Sequence, residues 1–111
     1  MKITVVHKAF EDTPQIVAEV TAPADAGSVE EALEYAYRWT NNVMGSWSIK
    51  KKNFEDGEPN GDFNPNVKVM ADLHVDESGK AWGLRSTSVR DMMHVDGRSF
   101  EVAGFGFTEL V

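Results

Sequence analysis

Apolar and polar residues alternate from Met1 to His7, with Ile3 and Val5 on one face and Val6 opening the other. That period of two predicts a half-buried strand. Glu11-Asp12-Thr13-Pro14 is turn chemistry, because proline fixes φ and aspartate bonds the backbone locally. From Gln15 to Thr21 the alternation resumes, Ile16, Ala18 and Val20 facing one way and Val17 and Glu19 the other. Two such runs joined by a turn predict an antiparallel pair.

Ala22 to Gly27 closes that unit, and the periodicity then changes to helical. Ser28 and Glu31 have the spacing of a capping box. Glu30, Glu31 and Glu34 stand at the positive end of the helix dipole. Val29, Leu33, Ala36, Tyr37 and Thr40 form one stripe, widened by Ala32, Tyr35 and Trp39 into a broad apolar face. Trp39 is expected beneath a sheet. Glu34 and Arg38, four apart, are expected to pair on the solvent side. The predicted end of the helix is Asn41 to Met44, before Gly45.

Residues 45–66 are loop material: Gly45-Ser46-Trp47-Ser48, three lysines, Glu55-Asp56-Gly57, Pro59-Asn60-Gly61 and Asn64-Pro65-Asn66. A loop this long is expected to be the most mobile ordered part of the chain and a contact surface. Trp47, Ile49 and the lysines are candidates for a short edge strand within it. Val67 to Val75 then alternates cleanly, with Val67, Val69, Ala71, Leu73 and Val75 inward. Asp76-Glu77-Ser78-Gly79 turns it back into Ala81-Trp82-Gly83-Leu84. Near the end, an apolar run from Met92, the pair Asp96-Gly97 and a second alternating run spell a hairpin. In Gly104-Phe105-Gly106-Phe107 the glycines are expected to let backbone approach closely while the rings fill the core. These elements predict an α+β fold in one domain, 1–111: a single helix on a strongly bent antiparallel sheet, curled toward a half-barrel.

Composition narrows the function more than the fold. There is no cysteine, which excludes disulfides, thiol nucleophiles and thiolate metal sites. The opening Met-Lys-Ile-Thr-Val-Val-His meets charge too soon for a signal peptide. No apolar stretch approaches the roughly 18 residues of a membrane span, so the expected setting is cytoplasmic, away from membranes. The net charge is −7, spread over both halves of the chain. An acidic surface repels phosphate backbones and weighs against nucleic acid as a partner. The acids are too scattered to imitate a duplex, which carries about one charge per 1.7 Å.

Ser86, Ser88, Val89 and Asp91, followed by a hairpin bearing Phe100 and Val102 and then Gly106-Phe107, resemble the YodL-like domains of phages and conjugative elements. Arg85 stands where that pattern commonly has histidine before the first serine, and Arg90 where it has a small residue before the aspartate. The stretch from Trp39 to Trp47 is similar, more loosely, to small phage proteins. The resemblance implies a mobile-element setting and no particular chemistry. The same residues have a structural reading: hydroxyls and the Asp91 carboxylate bonding nearby backbone N–H groups to brace a turn ahead of a strand.

Three sets of residues have the types of a reactive constellation, and each has an ordinary role as well. Asp72 and His74 share a predicted strand face, yet a metal needs three or four convergent ligands, and solvated polar residues are the usual content of such a face. Ser86 or Ser88 with His94 and Asp91 has the residue types of a hydrolase but no nucleophile elbow. Gly104 and Gly106 lack the third glycine and the helix of a dinucleotide loop. No catalytic residue and no cofactor is expected. Trp47, Lys50, Lys51, Lys52, Arg85 and Arg90 are the candidate binding residues, as protein anchors or as an aromatic, basic patch for single-stranded nucleic acid. For Trp47, burial as a pin for the loop is the favoured alternative. The leading expectation is a non-enzymatic accessory protein of a phage or mobile element that binds another protein. A homo-oligomer is admitted, and a small nucleic-acid-contacting β-domain is the alternative.

Overall fold

Eight strands and one helix make up the computed structural model, which describes residues 1–111. β1 (Lys2–His7) pairs antiparallel with β2 (Gln15–Thr21), as the two alternating runs require. Val17 is an extra residue in that ladder: Val5 pairs with Ala18 and Val6 with Ile16, so Val17 and Ala18 both turn toward the core. The helix α1 (Val29–Trp39) begins as expected, with the Glu31 N–H donating to Ser28 Oγ at 3.1 Å. Glu31 reaches back to the Gly27 N–H at 3.2 Å, one residue earlier than the reciprocal bond of a standard box. The helix stops at Trp39, earlier than periodicity suggests, because Thr40 caps it and its hydroxyl donates to the Ala36 carbonyl at 2.8 Å.

After the long loop come β3 (Val67–Val69), β4 (His74–Val75), β5 (Ala81–Trp82), β6 (Met92–Val95), β7 (Arg98–Val102) and β8 (Phe107–Leu110). Six of the eight strands form one antiparallel sheet in the order β3-β2-β1-β6-β7-β8. β3 and β8 are its unpaired edges, so the sheet is open and the curl toward a half-barrel is not completed. The fold is α+β, one helix against one face of this sheet. Ile3, Val5, Ala18, Val20, Met93, Val95, Phe100 and Val102 meet Ala32, Leu33 and Ala36 there, with Trp47 from the loop closing the core.

The clean alternation of residues 67–75 is not one strand. The Met70 N–H gives the last bond to β2, at the Val17 carbonyl, and the chain then leaves the sheet. His74 and Val75 pair instead with Trp82 and Ala81 in a separate two-stranded ribbon. The C-terminal hairpin follows the expected register across Asp96 and Gly97, both at positive φ (50° and 73°), as its two-residue turn demands. The next turn corrects an expectation. Gly104 and Phe105 sit at the corner and Gly106 takes φ 64°, the left-handed residue that closes such a hairpin. That geometry throws Phe105 into solvent, fully exposed, while Phe107 packs edge-on against Tyr37. Only the second ring of the pair serves the core.

Candidate functional site

The inward alternation of β1 ends on His7, which is buried. Its Nε2 lies 2.9 Å from Thr87 Oγ1, whose hydroxyl donates to Thr40 Oγ1 at 2.8 Å, which donates in turn to the Ala36 carbonyl. Each hydroxyl proton is thus spent downstream, so Nε2 carries the proton and donates to Thr87. Burial pushes the His7 pKa below its usual value, against the pull of Asp91 nearby.

Asp91 is the centre of a second knot, also fully buried. Oδ1 accepts from the Lys8 and Ala9 N–H groups at 2.9 and 3.0 Å, and Oδ2 from the Ser88 N–H at 2.8 Å. Arg85 grips both oxygens, Nη1 at 2.7 Å from Oδ2 and Nη2 at 2.8 Å from Oδ1. Burial alone would raise the Asp91 pKa, but the guanidinium and the three backbone donors outweigh it and hold the carboxyl at about 2. The remaining Arg85 donors go to both Glu11 oxygens and to the Ser86 carbonyl, which pushes Glu11 down as well. Trp47 ties the knots together: its Nε1 donates to the Arg85 carbonyl at 2.9 Å, and its ring meets His7 at 71°.

These are the residue types of an acid–base relay, held as a structural clamp. Asp91 Oδ2 is 3.9 Å from His7 Nε2, beyond hydrogen-bond reach, and the Thr87 hydroxyl is already committed. None of these groups lines the main clefts of the surface. The other reactive set is not assembled either, since His94 bonds Ser99 at 2.8 Å and Ser86 Oγ accepts from the Asn42 N–H.

A third knot organises the long loop. Asn60 is buried; its amide donates to the carbonyls of Ser46, Ile49 and Lys51, and its oxygen accepts from the N–H groups of Ser46 and Asp62. Gly45 is required beside it, because a Cβ there would stand 2.2 Å from the Asn60 side-chain oxygen. Asp62 accepts from the Val43 and Met44 N–H groups and takes Arg38, at 3.2 Å, away from its expected partner Glu34. No edge strand forms in this loop; a lone bridge joins Asn53 to Pro59.

Folded this way, the loop and the β4–β5 ribbon enclose a cleft of about 440 Å³, with Ile49, Phe54 and Ala81 in it beside Lys51, Lys80, Glu55 and Asp56. Trp82 stands next to Ala81, half exposed. Its Nε1 donates to Asp76 Oδ2 at 3.0 Å, and the Lys80 ammonium lies 4.8 Å over its ring. Asp76 also accepts from Ser78 and Lys80, and these donors bring its carboxyl to about 2. The indole is therefore held in place by its own turn.

The six sequence-derived binding residues do not form a patch. Trp47 is buried and Arg85 has every donor engaged. Lys50 turns inward to the Asn64 carbonyl at 2.6 Å and over Phe63, with its pKa lowered by burial. Lys51 lines the cleft, Lys52 is exposed, and Arg90 is exposed in the turn that leads into Asp91, at φ 80°. The displacement follows from Asn60, which folds the loop back on itself. Sequence reasoning passed over Trp82 as a contact residue, although the Asp76-to-Gly79 turn before it was a readable signal. It also missed His7, Thr40 and Thr87, which meet only across 80 and 47 positions of chain.

No protein-family model matches this chain, and neither a curated protein nor a solved structure shows significant similarity to it.

Proposed function

We propose that this chain is a small acidic accessory protein of a phage or mobile element, acting without catalysis by binding another protein. One observation carries the reading. The residue types that chemistry would need are consumed in internal bonds, while a rigid indole and a mixed-charge, apolar-floored cleft are presented to solvent. Trp is over-represented among interface anchors, and pre-organisation lowers the entropic cost of association. The mobile-element setting rests on the resemblance of residues 86–107 to YodL-like domains. A second reading uses the same surface: Lys51, Lys80 and Trp82 have the character of a single-strand stacking site. Glu55 and Asp56 in the cleft oppose it.

The test is affinity capture from the native host with the wild type and with Trp82→Ala and Phe54→Ser variants, each first shown to fold. A protein retained by the wild type and lost by both variants supports the reading. Captured material that is nucleic acid, released steeply by salt, moves the function to the second reading. Full retention by both variants removes the cleft from it.

A further inference from the structure

Asn60 alone among the asparagines of this chain is followed by glycine. That pair is prone to deamidation, because glycine has no side chain to keep its nitrogen away from the preceding side-chain amide. The Gly61 nitrogen bonds to Asn60 Cγ and gives up its proton, the Cγ–Nδ2 bond breaks, and Nδ2 leaves as ammonia. Water then opens the cyclic imide, leaving aspartate or isoaspartate in place of the asparagine.

The structure requires both members of the pair. The Asn60 amide donates to the carbonyls of Ser46, Ile49 and Lys51 at 2.9, 3.0 and 3.0 Å, and its oxygen accepts from the Ser46 and Asp62 N–H groups at 3.0 and 3.2 Å. A Cβ on residue 61 would stand 2.7 Å from Met44 Cβ, so a larger residue there forces the two segments apart. The fold cannot exchange the labile pair for a safer one; it restrains it instead. The attacking nitrogen is engaged, its N–H donating to the Met44 carbonyl at 3.3 Å. The nitrogen that must leave is held by three carbonyls, and the side chain is only 5% exposed. Cyclisation needs the side chain to turn and both nitrogens to be free, so these bonds have to open first.

The product cannot resume the same place. A carboxylate accepts but does not donate, so the carbonyls of Ser46, Ile49 and Lys51 would lose their donor and face a negative oxygen. The new charge would also join the buried Asp62, whose ion pair is with Arg38. Ile49 and Lys51 line the cleft, so its wall goes with the loop. We propose that Asn60–Gly61 is a modification site gated by local opening: spontaneous deamidation there follows release of the loop and then keeps it released, whatever the cleft binds.

Folded protein aged at mildly alkaline pH should acquire the mass of an amide turned into an acid, located at residue 60 by peptide mapping. It should do so at least about tenfold more slowly than the same chain unfolded in urea, because only the opened loop reacts. In urea below the unfolding transition, the rate should rise in step with hydrogen exchange of the Gly61 amide, the reacting nitrogen itself. The deamidated fraction, separated by its extra negative charge, should lose protection at the amides of residues 60 and 61, which donate to the Lys52 and Met44 carbonyls. The amides of β1 and β6 should keep theirs. Asn60→Asp should reproduce that pattern, and the aged wild type supplies the same reading if this variant does not fold. Deamidation as fast in the folded protein as in the unfolded chain overturns the proposal, as does a rate indifferent to urea that speeds Gly61 exchange. A deamidated protein whose Gly61 amide stays protected overturns it too.

Discussion

Asp91 accepts five hydrogen bonds, and removing it strands Arg85 and three backbone donors at once. The turn-brace reading of the sequence implies a loss of about 1–3 kcal/mol for Asp91→Ala. A charge pair buried on the aspartate side raises the expectation to about 3–5 kcal/mol, measurable by urea unfolding at neutral pH. Its neighbour Arg90 works against the fold, since φ 80° is costly for any side chain. Arg90→Gly should therefore stabilise the protein by about 0.5–1 kcal/mol, the relief of strain less the extra entropy of an unfolded glycine. A lower urea midpoint for that variant would contradict it. His7 and Asp91 both have depressed pKa values, so their stabilisation is complete above the unfolded values and is lost on acidification. His7 weakens the fold as pH falls below about 6.5 and through its folded pKa. Asp91 follows between 3.8 and about 2. The upper step should vanish from the stability-against-pH curve of His7→Gln, while the lower one remains.

At the scale of elements, residues 45–66 carry few ladder bonds, yet the segment is not slack. Side chains replace the missing ladder, and Asn60 supplies most of the links. Fast hydrogen exchange throughout this loop, the expectation from its glycine, asparagine and proline content, should therefore give way to a divided pattern. The Ser46 and Asp62 amides, which donate to Asn60, should be protected, and the exposed 55–58 turn should exchange fast. Asn60→Ala should cost about 1–3 kcal/mol by leaving part-buried carbonyls and amides unpaired, and should release the whole loop to fast exchange. If Ser46 exchanges as fast as Gly57 in the wild type, Asn60 is not the organiser.

For the molecule as a whole, the charge of −7 decides which encounters are productive. Long-range repulsion opposes approach to a phosphate backbone, and the structure withdraws cations that would have to overcome it: Lys50 turns inward and Arg85 is clamped. Random single- or double-stranded DNA and RNA should therefore show no binding at physiological salt up to about 10 μM protein. Fluorescence anisotropy is sufficient to check this. Tight, steeply salt-dependent binding lost on changing Lys51 and Lys80 to Ala would establish a nucleic-acid role. No helix is long and apolar enough to cross a membrane.

Local chemistry carried a good part of this architecture. Period-two alternation located β1 and β2, Ser28 and Glu31 located the start of α1, and Asp96-Gly97 located the β6–β7 turn, because each signal acts over a few residues. The α+β class follows from those elements alone. What alternation could not reveal is which pattern finds a partner: residues 67–75 alternate throughout, yet only β3 stays on the sheet. Burial also depended on distant contacts. Phe105 and Phe107 read alike, and the turn geometry sent one to solvent and the other to Tyr37. The clamp joining His7, Thr40, Trp47, Arg85, Thr87 and Asp91 was invisible for the same reason, since polar groups desolvated together need each other only once the chain has brought them together. A sequence specifies local conformation through nearest neighbours; which side chains are left for a partner is decided by tertiary packing, which consumes the rest.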